Sequence, residues 1–287
     1  MSEERSQQID EFESRFRRAE RNLYHPTPKP VQNILTVLAQ DDPVQSDLLP
    51  HLPTVASAAT VQNWPAEQKT VSALLEWVNG QSPDLIVARR HFREAELLPQ
   101  FSLGVYVDVL TQATSFPVLL LPGTAASPKP LPASVSRIMA LTNHAELHAE
   151  IIHHAVSMTP DSGSLYLCHI EDDIILQRYL KAIERIPEIY TDLAKEKLLE
   201  ELQREAREYL TGAAEVIRTG NTAEVNHPKQ IEVLVTQGHH LQAVKQLIET
   251  HNIELLVVNT KDSDQMAMNG LAHAIAVEFD EIPLLLL

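Results

Sequence analysis

Apolar positions along this chain follow two periods. Val71, Leu74, Leu75 and Val78 recur at three and four residues, one face of a helix, and lead into the continuous run Leu85-Ile86-Val87-Ala88. Leu241, Val244, Leu247 and Ile248 lead in the same way into Leu255-Leu256-Val257-Val258, and residues 71–88 align with 241–258 without a gap. Gly104 stands 13 residues before Pro117 in Phe116-Pro117-Val118-Leu119-Leu120-Leu121, and Gly270 stands 13 before Pro283 in Ile282-Pro283-Leu284-Leu285-Leu286-Leu287. Two matching spacings with matching apolar runs predict a duplicated unit that ends helix, buried strand, loop, helix, buried strand. Runs with no polar alternation suit strands covered on both faces, as in a parallel sheet.

The second half carries a full front end. Residues 137–142 and 164–170 read as strands around a helix over 144–157, a helical stretch follows over about 173–218 with a break near Pro187, and strand 231–235 comes next. The order βαβαβαβαβ predicts a doubly wound sheet. The first half is shorter. Only about 15 residues separate its strands at 33–38 and 54–58, so this half is expected to lack a βα unit.

Composition sharpens the boundaries. Residues 8–23 place Ile9, Phe12, Phe16, Ala19 and Leu23 on one stripe, before the helix-stopping run His25-Pro26-Thr27-Pro28-Lys29-Pro30. Residues 122–134 are rich in proline and poor in large apolar groups, the composition of an extended linker. The expected division is an amphipathic arm over 1–27, a shortened unit over 28–122, a linker over 123–134 and a complete unit over 135–287.

Charge and residue counts remove whole classes. The net charge of −16, from 39 acids and 23 bases, repels phosphate backbones and anionic lipid, so nucleic acid is not an expected partner. With 44% apolar residues the chain can bury a large core, and the single Cys168 allows no intrachain disulfide framework. No uncharged run reaches 18 residues, so no transmembrane segment is expected, and with no signal-like start the expected location is the cytoplasm. Eight glycines in 287 residues is roughly 3%, against a typical ~7%, and no two lie within six residues of each other. Glycine-rich phosphate loops need closely spaced glycines so that the backbone can touch the phosphate, and none can be built here.

The ordered set of pieces resembles the universal stress protein family. Ile138-Met139-Ala140-Leu141-Thr142-Asn143 is similar to the family's first strand and turn, and Leu165-Tyr166-Leu167-Cys168-His169-Ile170 to its second strand. Val235-Thr236-Gln237-Gly238-His239 with helix 241–251 resembles the third strand and its helix, and Gly270 through Leu286 the closing helix and strand. The resemblance covers about 150 residues of the second half, with the first half similar to a shortened copy. It implies an α/β fold of two adenine-nucleotide-hydrolase-like repeats, each a parallel sheet with helices on both faces, five strands in the second. It also implies a pseudo-dimer of the two repeats within the chain.

Nucleotide-binding members of that family carry an acid after the first strand and a glycine loop after the fourth. Here Asn143 stands at the acid's position, Asn259 and Asp262 at the two loop glycines, and Leu271 follows Gly270 in place of Ser or Thr. The shortened copy has Arg89, Phe92 and Val105 at the matching places. A carboxylate at Asp262 would repel a triphosphate and Phe92 would obstruct backbone approach, so ATP is not expected to bind in the family's manner.

The candidate ligand cleft gathers Asn143, His169, Gly238, His239, Asn259 and Gly270 at strand carboxyl ends, with Arg89 and Arg90 as the basic cluster of the first half. His144 and His148 share a helix face and could grip a metal, but a solvated polar face is the plainer reading and no metal is expected. His169 precedes Glu171, Asp172 and Asp173, a pairing able to move protons, yet no nucleophile or oxyanion motif accompanies it. Cys168 inside a strand reads as an inert buried thiol. The expected function is a non-enzymatic accessory or regulatory role in stress response, with no cofactor and a protein partner or self-association. The alternatives are a nucleotide binder with a rebuilt phosphate loop and a regulatory partner of a membrane transporter. The apolar final strand at 284–287 is expected to pair across subunits in a dimer or with its twin inside the chain.

Overall fold

The computed structural model describes residues 24–39, 42, 44, 48–65, 67–94, 101–132, 134–142, 149–183, 191–220, 226–261 and 268–287. The arm over 8–23, Asn143, the histidines 144 and 148, Pro187 and Asp262 lie outside them.

The first half contributes strands β1 (Val31–Val37), β2 (Val55–Asn63), β3 (Leu85–Arg90) and β4 (Val118–Thr124), with helices α1 (Val71–Gln81) and α2 (Val105–Ala113). The second half contributes β5 (Arg137–Thr142), α3 (Ala149–Met158), β6 (Ser164–Asp172), α4 (Asp173–Ile183), α5 (Thr191–Thr219), β7 (Gln230–Gly238), α6 (His240–His251), β8 (Leu255–Val258), α7 (Gly270–Glu278) and β9 (Leu284–Leu286). All nine strands form one sheet in the order β2-β1-β3-β4-β9-β8-β5-β6-β7. Every neighbouring pair is parallel except β4 with β9. The α/β fold class expected from the pattern is the one observed.

The central strands carry unbroken apolar runs because both their faces are covered. Leu85, Val87, Leu119, Leu121, Ile138, Leu255 and Val257 face one layer with Ile152 and Ala155 of α3 and Leu210, Ala213 and Ile217 of α5. Ile86, Ala88, Leu120, Met139, Leu256 and Val258 face the other with Leu74 and Val78 of α1, Leu110 of α2, Val244 of α6 and Ile275 of α7. Period-two alternation therefore sorts one apolar residue to each side rather than to core and solvent.

Strand order in the first half, β2-β1-β3-β4, is that of β6-β5-β8-β9 in the second. Among the described residues, nothing in the first half corresponds to α5 and β7. Chain passes from Asn63 at the end of β2 to Val71 at the start of α1 through residues 64–70, and β2 is left as a sheet edge. The edge is irregular, since its register with β1 shifts between Val31 and Asn33, and apart from Val61 its exposed positions are small or polar. A broken register and polar side chains are the usual protection of such an edge.

The question of where the final apolar strand pairs is answered inside the chain. Leu119 pairs with Leu285, Val118 with Leu286 and Leu120 with Leu284. The seam is tied further by Gly123 N–H donating to Asp280 O at 2.8 Å and by Lys129 Nζ at 2.8 Å from Asp280 and 2.7 Å from Glu281. β4 also runs further than the apolar run suggested. It continues through Pro122 and Gly123 to Thr124, which pairs with Arg90. Gly123 has φ +72°, and a Cβ there would lie 2.5 Å from Ser127 O, so the tight turn back toward Pro128 requires glycine.

Ahead of β1 the chain lies on α3. Tyr24 is buried with its ring 5.1 Å from that of His153, His153 Nε2 meets His25 O at 2.8 Å, and Lys29 Nζ reaches Glu150 at 2.7 Å. Among the described residues no helix is long and apolar enough to cross a membrane.

Candidate functional site

Parallel strands deliver their carboxyl ends to one edge of a sheet, and loops leaving that edge diverge to open a crevice. In the first half the residues after β1, β2, β3 and β4 enclose a cavity of about 640 Å³. Leu38 and Ala39 follow β1, Trp64 and Pro65 follow β2, His91 to Glu94 follow β3, and Ala125 and Ala126 follow β4. The volume is that of an ordinary small-molecule site.

One wall is aromatic. Trp64 lies 6.2 Å from Phe92 and 5.1 Å from Tyr106, and Phe92 lies 5.9 Å from Tyr106, all in tilted or edge contacts. Such arrangements let the positive ring edge meet the negative face. Trp64 is fixed at both ends, its backbone N–H on Thr36 O at 2.9 Å and its Nε1–H on Gln68 Oε1 at 3.1 Å. Tyr106 donates its hydroxyl to Lys69 O at 2.7 Å. The Arg93 guanidinium sits 4.7 Å from the ring centroids of both Trp64 and Phe92 and donates to Gln68 O and Pro65 O.

The turn at the end of β3 is bent sharply, with His91 at φ +54° and Arg93 at φ +57°. It carries Glu94 to the first turn of α2. There one carboxylate oxygen accepts the backbone N–H of Val105 and the other lies 3.2 Å from His91 Nδ1. Gly104 makes room for this contact. A Cβ on it would lie 2.7 Å from the Glu94 carboxylate and 2.8 Å from the His91 backbone, and its φ of +93° is one L residues avoid. The position where an anion would meet the free N–H groups of α2 is thus held by a carboxylate of the chain itself.

Phe92, expected to obstruct a phosphate, instead forms part of the cavity wall and is buried. Arg89 and Arg90 are buried to 2% and 3% exposure and give their donors to the protein. Arg89 pairs with Asp42 and donates to Pro122 O. Arg90 donates to Ala276 O at 2.7 and 2.9 Å, Phe279 O at 3.0 Å and Leu121 O at 2.9 Å, so it closes the carboxyl end of α7 across the seam. Burial pulls the Arg90 guanidinium down to about 10, against the raising effect of Asp280. Arg90 thus ties the two halves together, while Arg89 ties Asp42 to β4 within the first half.

The second half distributes the other candidates over three places. Asn259 and Gly270 come together through Asn269, whose Nδ2 donates to Asn259 O at 3.3 Å and whose Oδ1 caps α7 by accepting Ala272 N–H at 2.8 Å. His169 lies on β6, two strands from β8, with Nδ1 at 3.2 Å from Thr142 O and Nε2 at 3.4 Å from Glu171. Gly238 and His239 join β7 to α6, and His239 is exposed. The adjacent His240 makes the structured contact there, with Nδ1 2.7 Å from Asp172 and Nε2 2.9 Å from Ile170 O. Among the described residues no group of three His, Cys, Asp or Glu side chains is placed to hold a metal ion.

Trp64, Arg93 and Glu94 were not among the residues picked from the sequence. A search for glycine loops passes over them; the usable signal for Arg93 and Glu94 was their place in the loop after the apolar run at 85–88, whereas Trp64 follows the polar pair Gln62-Asn63 and carried none.

No protein-family profile matches the chain, and no curated protein matches it. Solved structures do. A functionally unknown protein from Pseudomonas aeruginosa PAO1 matches at 15% identity and TM-score 0.53, over 90% of this chain and 93% of that one. A candidate universal stress protein from Pseudomonas aeruginosa UCBPP-PA14 matches at 14% identity and TM-score 0.49, over 90% and 94%. A universal stress protein from Archaeoglobus fulgidus DSM 4304 matches at 9% identity and TM-score 0.46, over 89% and 85%. At these identities the likeness is one of fold alone, and it is carried by the Pseudomonas aeruginosa PAO1 structure at TM-score 0.53.

Proposed function

We propose that this protein is a non-enzymatic, cytoplasmic universal-stress-like protein, built from two repeats of unequal length, with an accessory or regulatory role in stress response. It does not bind ATP in the usual manner of that family. The observation that carries the reading is Glu94, which occupies with its own negative charge the backbone N–H of Val105 at the start of α2. A phosphate would have to displace a carboxylate already satisfied by that N–H and by His91, in a protein whose net charge is −16. The burial of Arg89 and Arg90 supports the same reading, because neither is on offer as a phosphate clamp.

The test is a thermal-shift titration of the purified chain with ATP, ADP and AMP, with and without magnesium. No shift at millimolar nucleotide is expected. A ligand held only by the native state adds about 2.7 kcal/mol at a hundredfold excess over its Kd, and a shift of that kind would sink the reading.

A further inference from the structure

We infer that the second half sets the order of the first-half cavity wall, through Lys261, which ties down the far end of α2. The two ends of α2 are held by different halves of the molecule. Its first turn backs the cavity wall, with Val105 N–H on the Glu94 carboxylate and the Tyr106 ring 5.1 Å from Trp64 and 5.9 Å from Phe92. Its carboxyl end is met by Lys261, just beyond β8, whose Nζ donates to Gln112 O at 2.9 Å and to Thr114 O at 2.7 Å. Carbonyls in the last turn of a helix have no partner within it, and a cation there also meets the negative end of the helix dipole.

The length of α2 carries the effect from one end to the other. It has nine residues, shorter than the ~12–15 an isolated helix needs to be more than marginal in water, so its turns order together and depend on what holds its ends. Val107 and Leu110 seat its middle on the core, which leaves the ends to Glu94 and Lys261. The anchor of Lys261 is itself fixed, since Thr260 N–H donates to Leu287 O at 2.7 Å and Asn259 Nδ2 to Lys261 O at 2.6 Å. The arrangement is reciprocal, because Arg90 at the end of β3 closes α7, also nine residues long, from the first half. Arg90 is buried, whereas Lys261 is partly exposed and is the tie that can be altered without opening the core.

The experiment compares the full chain with its Lys261→Met variant by amide hydrogen exchange and by the fluorescence of Trp64. A Trp77→Phe background confines the fluorescence to Trp64, because the chain has two tryptophans. Methionine keeps an apolar stem and removes the charge and the donors. Exchange is expected to rise at least about tenfold along α2, the size of one charge-assisted hydrogen bond. The rise should include the amides of Val105 and Asp108 in the first turn, and the Trp64 emission should shift with it. Strands β5, β6 and β8 should exchange as in the parent. Lys129→Met is the control, since it removes a seam cation whose partners are Asp280 and Glu281 and not α2. It is expected to leave α2 and Trp64 unaltered. Unchanged exchange in α2, faster exchange confined to its last turn with Trp64 unaltered, a uniform rise across the sheet, or equal loosening in Lys129→Met would each overturn the inference.

Discussion

Leu119 and Leu285 stand opposite one another in the antiparallel pair β4–β9, and each is the second residue after the proline that opens its own final strand. The pairing is symmetrical about them, since Val118 meets Leu286 and Leu120 meets Leu284. Both leucines are fully buried, and this one antiparallel contact turns two parallel sheets into a single sheet of nine strands.

Leu285→Ala should therefore destabilise the whole chain and not the second half alone. A buried leucine truncated to alanine costs about 2–5 kcal/mol. Leu119→Ala should cost a similar amount, and the double variant less than the sum, because the two deletions share one cavity. Urea unfolding of the three variants measures this. Additive costs would mean that the seam is not a shared unit.

Arg90 has the same reach from the opposite side of the seam. Arg90→Met removes the donors to Ala276, Phe279 and Leu121 carbonyls and leaves them buried without partners. The expected loss is about 3–5 kcal/mol by denaturant titration. Arg90→Lys should recover little of it, because an ammonium cannot span carbonyls arranged for a planar fork.

Stability should fall on mild acidification. Burial, and then the Lys29 charge, press the His154 imidazole down from the usual 6.5 to about 4. The unfolded chain takes up a proton that the folded one refuses, so the contribution is complete above pH 6.5 and is lost progressively as pH falls through 4. The effect is on the order of 2–3 kcal/mol. Glu150 acts with the same sign. Burial raises its carboxyl, yet the Lys29 contact prevails and holds it below its ordinary value. Unfolding titrations between pH 7 and 4 should show the decline, and His154→Gln should flatten its upper part.

Cys168 should be silent toward thiol reagents in the native protein. It is fully buried, and burial pushes its thiol up to about 12, so almost no thiolate exists at neutral pH. Reaction with an aromatic disulfide reagent should follow the rate of global unfolding. A fast native phase would contradict the burial.

The apolar runs at 85–88, 118–121, 138–141 and 255–258 announced central parallel strands because a strand covered on both faces has no polar alternation to hide it. The helix break near Pro187 and the exact start of α3 concern residues outside those described, and β2 extended five residues past the short apolar stretch, to Asn63, because an edge strand needs no apolar run on its open side. The candidate site was less legible. Arg89 and Arg90 look like surface cations in the sequence, and only their position in a fully buried β3 turns them into internal ties.

The sequence by itself determined the elements, their order and the absence of a glycine cradle, since these depend on period, chain direction and residue type within short spans. Only the tertiary structure decided that β9 pairs with β4 inside the chain, that Arg90 closes α7 from the other half, and that Trp64, Phe92, Arg93 and Glu94 converge on one cavity. Those relationships join residues far apart in sequence, and their pairing is set by which faces the sheet must bury together, a quantity that no local pattern records.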